Sequence, residues 1–266
     1  MMSSPPLGRR QFLTLPLALL LAPWGAVAAE TVTRRGLYAV DVGILYGLLT
    51  FRLNGTIDES LDRDAGRYEV SAVGEGSGIA NRVDSNGRLA GGRWAPLRTT
   101  SWFQVRGRES RSDVIYDYAH RTIEYHFRGE TFFLRRVRIV DDRLPIPDGV
   151  HVDDVLSAFF NLVGGDWTPR ADGVHQTWVV RRRKRDAEGP DDVDPQPRAE
   201  LAPLELKLET DATIGKRVAS FDMTRFSSWA RQDRPARIVF RDDGRPETIT
   251  SSMILGSSVT IRLEDA

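Results

Sequence analysis

The chain has 266 residues, 41% hydrophobic and 28% charged, the composition of a globular protein rather than of a disordered chain or a membrane bundle. Lysine plus arginine and aspartate plus glutamate each total 37, so no net field favours nucleic acid as a partner. Cysteine is absent, which excludes disulfides and lipid attachment at a cysteine, and leaves stability to the core.

The first element is an export signal. Arg9-Arg10 supplies a positive region, Phe12 to Ala22 an apolar one, and Ala26-Val27-Ala28 and Val27-Ala28-Ala29 small-residue cleavage sites. Residues 1–29 are therefore read as a signal peptide, with Arg9, Arg10, Ala26 and Ala28 as its signal residues. Cleavage after Ala28 or Ala29 would leave a soluble periplasmic protein. The apolar run falls short of the roughly 20 residues that span a bilayer, and Pro16 and Pro23 interrupt it. Arg9-Arg10-Gln11-Phe12-Leu13 resembles the twin-arginine motif, so the twin-arginine and general secretory routes both fit.

From there on the pattern is alternation with period two, which marks strands with one buried face. Tyr38, Val40, Val42 and Ile44 share a face; so do Tyr68, Val70 and Ala72. Val114, Tyr116 and Tyr118, then Ile123, Tyr125 and Phe127, repeat the pattern. Leu204, Leu206 and Leu208 and finally Val259, Ile261 and Leu263 complete it. Asp64-Ala65-Gly66, Asn86-Gly87 and Asp243-Gly244 read as hairpin turns. Short strands and tight turns mean antiparallel meanders, and no long helical crossover suggests a parallel sheet.

One segment has helical period. Val152, Val155, Leu156, Phe159, Phe160 and Val163 fall on one face, Asp153 and Asp154 precede it as caps, and Gly164-Gly165 ends it. The spacing predicts a helix over about 152–163 that caps the open end of the sheet. Lys184 to Glu200, rich in Asp, Pro and Gly, reads as a solvated loop within one β-rich domain, 30–266. The expected fold is mainly β: a single antiparallel, strongly curved sheet or open barrel with one capping helix.

Sites are sparse. His120, His126, His151 and His175 show no metal-ligand spacing, so no metal and no cofactor is expected. Gly74-Glu75-Gly76-Ser77-Gly78 has the wrong spacing for a nucleophile elbow and reads as a loop or bulge. Asp117, His120 and His126 could lie close together across a hairpin, but neither a metal nor a nucleophile motif supports a hydrolase. The carboxylates of 186–194 lack calcium-loop spacing, and Arg181 to Arg185 reads as a strand end neutralised by them. Large aromatics near strand ends are the remaining candidates. Trp94, Trp102, Phe103, Trp167 and Trp178 are taken as ligand-binding residues at the mouth of a β-cavity, against the alternative that they are core; Phe226 and Trp229 belong to the same set.

Several segments in order resemble the bacterial domain of unknown function 3108, a family of exported β-rich proteins. They are Tyr38 to Phe51, Arg67-Tyr68-Glu69-Val70, Ala95-Pro96-Leu97 and Val114-Ile115-Tyr116-Asp117. Asp154-Val155-Leu156-Ser157-Ala158-Phe159 and the segment from Ala236 to Pro246 follow. The acidic insertion over 184–200 departs from that family. The resemblance implies a cell-envelope protein with a curved sheet similar to that of lipoprotein carriers, and brings no catalytic residue. The expected function is a non-catalytic carrier or binding module for a lipid or other apolar or amphipathic envelope ligand. The alternative is an assembly factor acting through envelope proteins.

Overall fold

A computed structural model describes residues 31–265, apart from 45, 47, 48, 132, 168, 186, 187, 190, 228, 229, 232 and 255. The signal residues Arg9, Arg10, Ala26 and Ala28, and Trp229, lie outside the described residues. In chain order the strands are β1 (Thr31–Ile44), β2 (Leu49–Asp62), β3 (Arg67–Gly76), β4 (Ile79–Ala90), β5 (Arg93–Val105), β6 (Arg108–Asp117), β7 (Thr122–Glu130) and β8 (Val137–Pro145). Then come β9 (Val152–Asp153), helix α1 (Val155–Val163), β10 (Val174–Arg182), β11 (Ala199–Asp211), β12 (Lys216–Phe221), β13 (Ala236–Phe240), β14 (Pro246–Ser252) and β15 (Ser258–Asp265).

All of them form one 15-stranded sheet, ordered β8 through β1, then β15 down to β9. β1 pairs with both β2 and β15, so the first and last strands meet at the centre. The sheet is strongly curved and does not close, because β8 and β9 are its two ends. Pairing is antiparallel except at β9, whose two residues run parallel to β10. Helix α1 is the crossover between those two strands, a parallel connection that the sequence pattern did not announce.

Alternation sets the two faces. Tyr38, Leu53, Tyr68, Val70, Val114, Tyr116, Ile123, Tyr125 and Val140 point inward and are buried. Hairpin tips Ser77-Gly78, Gly91-Gly92 and Arg106-Gly107 have positive φ at both residues, the two-residue turn whose twist suits the flanking strands. Ser77 is thus a turn residue. Asn86-Gly87, expected as a turn, lies inside β4 at a register shift. Its glycine is there because the Tyr68 ring occupies the space above it.

α1 begins at Val155, three residues later than its periodicity suggests, because Val152 and Asp153 are taken into the sheet. Asp154 is the N-cap and forms a capping box with Ser157. The helix lies inside the curve. Phe160 packs with Tyr68, Val70 and Trp94; Ala158 packs on the other side with Trp167, Leu206, Ala219 and Phe240.

The acid-rich segment is not a solvated loop. It folds across the gap between β8 and the β10–β11 hairpin. Asp191 Oδ1 accepts the Phe133 and Leu134 N–H groups at 3.0 and 2.7 Å. Arg138 Nε donates to Asp192 O at 2.8 Å. Glu188 sits between Arg182 and Arg138, at 2.5 and 3.6 Å. Nearer the helix, Asp142 Oδ2 accepts the Ala199 N–H at 2.9 Å. Side chains stitch the seam where main-chain pairing stops.

Candidate functional site

The helix is held by a buried polar anchor. Asp153 is wholly buried, and its carboxylate accepts from Thr177 Oγ1 at 2.5 Å, Asn161 Nδ2 at 2.8 Å, Ser157 Oγ at 3.0 Å and Arg93 Nη2 at 3.1 Å. His151 Nε2 stands 3.1 Å from the same carboxylate. Asp154 accepts from the Ser157 N–H at 2.6 Å, from Thr99 Oγ1 at 2.5 Å and from Ser85 Oγ. β5 starts before its pairing with β6, so Trp94 has main-chain groups facing away from β4. Asn161 satisfies them, accepting from Trp94 N and donating to Trp94 O, both at 2.8 Å. Ser, His and Asp occur here together, but every carboxylate oxygen is occupied and the group is sealed. Its chemistry is that of a structural pin.

The tyrosines around it are kept neutral. Burial, then the Asp154 charge, push Tyr68 and Tyr116 well above the usual phenol value, and burial pushes Tyr125 up to about 12.

The other end of the concave face is open. The β3–β4, β5–β6 and β7–β8 turns lie there, opposite the helix. On this stretch Val40, Val42, Val83, Val105, Phe127, Ile261 and Leu263 point inward yet are only half-buried. Phe103, in register with Asn81 and Ser110 on that face, is 44% exposed. Tyr38 Oη donates to Asn81 Oδ1 at 2.9 Å in the same row. α1 blocks one end of the curve, and an apolar surface lines the other.

The five aromatics singled out in the sequence do not share one place. Trp94 is buried against Tyr68, ring centroids 5.7 Å apart, beneath the Arg63 guanidinium. Trp167 is buried on the other side of α1. Phe103 is at the open concave end. Trp102 is half-buried on the outer face, and Trp178, cross-strand from Pro203, is half-buried on β10. His120 Nδ1 pairs with Asp117 Oδ2 at 2.6 Å in an exposed turn, whereas His126 pairs with Asp141 across strands at 2.9 Å. The Asp117–His120–His126 set is therefore split. Among the described residues no group of three or more His, Asp or Glu side chains is placed to hold a metal ion. Missed in the sequence was the Asp153–Asn161 anchor; buried polar residues at i and i+8 across a helix start were the available signal.

No family model matches the chain, and no curated protein does. The likeness to domain of unknown function 3108 thus has no family match behind it. Among solved structures the chain is similar to a β-barrel-like protein of a different domain of unknown function, 1849, from Brucella abortus. Identity is 10%, with 90% of this chain and 98% of that chain covered at a TM-score of 0.42. Among the described residues no helix is long and apolar enough to cross a membrane.

Proposed function

We propose that this protein is an exported, non-catalytic binding module that carries an apolar or amphipathic cell-envelope ligand on the concave face of its sheet. The observation that carries the reading is Phe103, a large apolar side chain 44% exposed at the open end of a face that is core beside the helix. Half-buried aliphatic side chains on the same rows extend that surface, and α1 limits its depth. Arg9-Arg10, the apolar run and the Ala26-Val27-Ala28 site support export and a periplasmic mature chain.

Native mass spectrometry of the protein taken gently from its own periplasm is the test. A bound apolar mass is expected, lost in Phe103→Glu at unchanged melting temperature. A clean apo mass, together with no fluorescence gain from an apolar naphthalene-sulfonate dye, would overturn the reading.

A second reading rests on β8. It is a terminal strand, and Val137 and Ile139 on it are each 44% exposed. An envelope protein docking over these apolar side chains on the outer face of β8 would make this an assembly factor. Crosslinking from the outer side of β8 should then return one reproducible periplasmic partner, and the absence of any would end it.

A further inference from the structure

The outer face of β4 to β8, across the sheet from the concave surface, carries a hollow of about 610 Å³. Two rows of cross-strand neighbours shape it. One runs Arg82, Trp102, Arg111, Arg128 and Ile139 across the five strands. The row beside it runs Asp84, Thr100, Asp113, His126 and Asp141.

Most of its charges are matched locally. Arg82 Nε lies 2.6 Å from Asp84, which also accepts from Ser71 Oγ at 2.8 Å. Arg98 holds both oxygens of Asp113, at 2.9 and 2.7 Å. Arg111 pairs with Glu109 at 2.6 Å, and His126 with Asp141. Arg128 is different: it lines the hollow, is exposed, and has no carboxylate partner among the described residues. The Thr100 hydroxyl likewise makes no hydrogen bond among them.

Trp102 is the other unexpected member. On the outer face it fills no core, yet its indole N–H is tied to the Glu109 carboxylate, which fixes the ring. Arg111 and then that indole hold Glu109 below the ordinary carboxylate range. β6 separates Trp102 from Arg128, so they stand two inter-strand spacings, or about 10 Å, apart. A ligand using both must be longer than one ring.

A fixed aromatic face, a free guanidinium and a line of polar groups suit a chain of sugar rings bearing carboxylates. The apolar C–H face of a pyranose stacks on an indole, a carboxylate takes the guanidinium fork, and ring hydroxyls exchange hydrogen bonds with groups such as Thr100. With Asp84, Asp113 and Asp141 held by Arg82, Arg98 and His126, one unpaired guanidinium suits a ligand of spaced carboxylates and neutral hydroxyls better than the continuous charge of a polyphosphate. The apolar lining is too broken for an acyl chain. We propose that this hollow binds an acidic oligosaccharide, stacked on Trp102 and anchored through a carboxylate on Arg128. It is a second site, independent of the concave face.

Titration calorimetry on the mature protein tests it, with trigalacturonate as the acidic probe and maltotriose as the neutral one. Trigalacturonate should bind, and Arg128→Gln should weaken it about tenfold or more while leaving any maltotriose binding unchanged. Trp102→Ala should weaken both. Arg128 is exposed, so that variant keeps its fold, as its melting temperature verifies. No binding of trigalacturonate at millimolar concentration, or equal binding by Arg128→Gln, overturns the proposal. So does binding of triglutamate in preference to the saccharide, which would make the occupant an acidic peptide. Dye binding on the concave face should be the same in Arg128→Gln, so failure of one site is told apart from failure of the other.

Discussion

Tyr68 lies against Gly87, its cross-strand partner: a Cβ on that glycine would stand 2.3 Å from Tyr68 Cε1. The arrangement recurs where Tyr38 faces Gly55, whose Cβ would be 2.5 Å from the ring. In each case a ring lies down across the next strand, and its hydroxyl reaches further, Tyr68 to Ser85 at 2.9 Å and Tyr38 to Asn81 at 2.9 Å. Gly87→Ala should destabilise the protein by about 3 kcal/mol, the upper end for overpacking, since the Ala95 carbonyl also blocks the site at 2.3 Å. Tyr68→Phe should cost about 1 kcal/mol, the worth of one hydrogen bond. Urea unfolding of both variants measures the difference, and equal midpoints would discount the packing argument.

The Asp153 anchor should be the least replaceable polar group in the molecule. Asp153→Ala leaves Arg93 without its carboxylate and strips acceptors from Thr177, Ser157 and Asn161 inside the core. A loss of about 3–5 kcal/mol is expected, the scale for breaking a buried ion pair from one side. Near-ultraviolet circular dichroism should fall as well, because Trp94 is fixed through Asn161.

The strap across the seam should open in acid. Burial raises the Glu188 carboxyl, but Arg182 and then the Arg185 N–H and Arg138 outweigh it, so the net direction is downward. Asp191 is also lowered: burial again opposes, and the Leu134 N–H leads the groups that prevail. Groups with depressed folded values stabilise above their unfolded value, near 4 to 4.5, and lose that stabilisation as pH falls through the folded value. Amide exchange in 188–194 and at Phe133 and Leu134 should therefore accelerate below about pH 4. Glu188→Gln should show faster exchange at pH 7 and a flatter acid response. An unchanged acid profile in that variant would remove Glu188 from the account.

At the alkaline end the tyrosines decide. Tyr38, Tyr68, Tyr116, Tyr118 and Tyr125 are all raised, chiefly by burial. The native state thus keeps protons that the unfolded chain gives up near pH 10, and stability falls as pH rises through that value. Absorbance at the phenolate band should show these residues titrating together with unfolding rather than before it. Early, reversible ionisation of any of these five would contradict the packing.

Much of the sheet was legible because alternation is a local signal. Tyr68-Glu69-Val70-Ser71-Ala72 states which face is buried whatever its neighbours are. Gly87 was misread because a strand glycine under a ring and a turn glycine look alike in one dimension. The helix start was displaced for a similar reason: Val152 has a helical neighbour at Val155, but pairing with Trp178 outweighs it. The acidic segment looked solvated by composition, and only its proximity to Arg138 and to the Phe133 and Leu134 amides makes it a strap.

By itself the sequence determined the strand faces and the place of the α-helix, since each depends on residues within a few positions of one another. The tertiary structure decided which strands meet, that the sheet stays unclosed, and how the aromatics divide. Trp94 and Trp167 fall to the core, Phe103 to the concave opening and Trp102 to the outer hollow, because burial is set by partners that are distant in sequence.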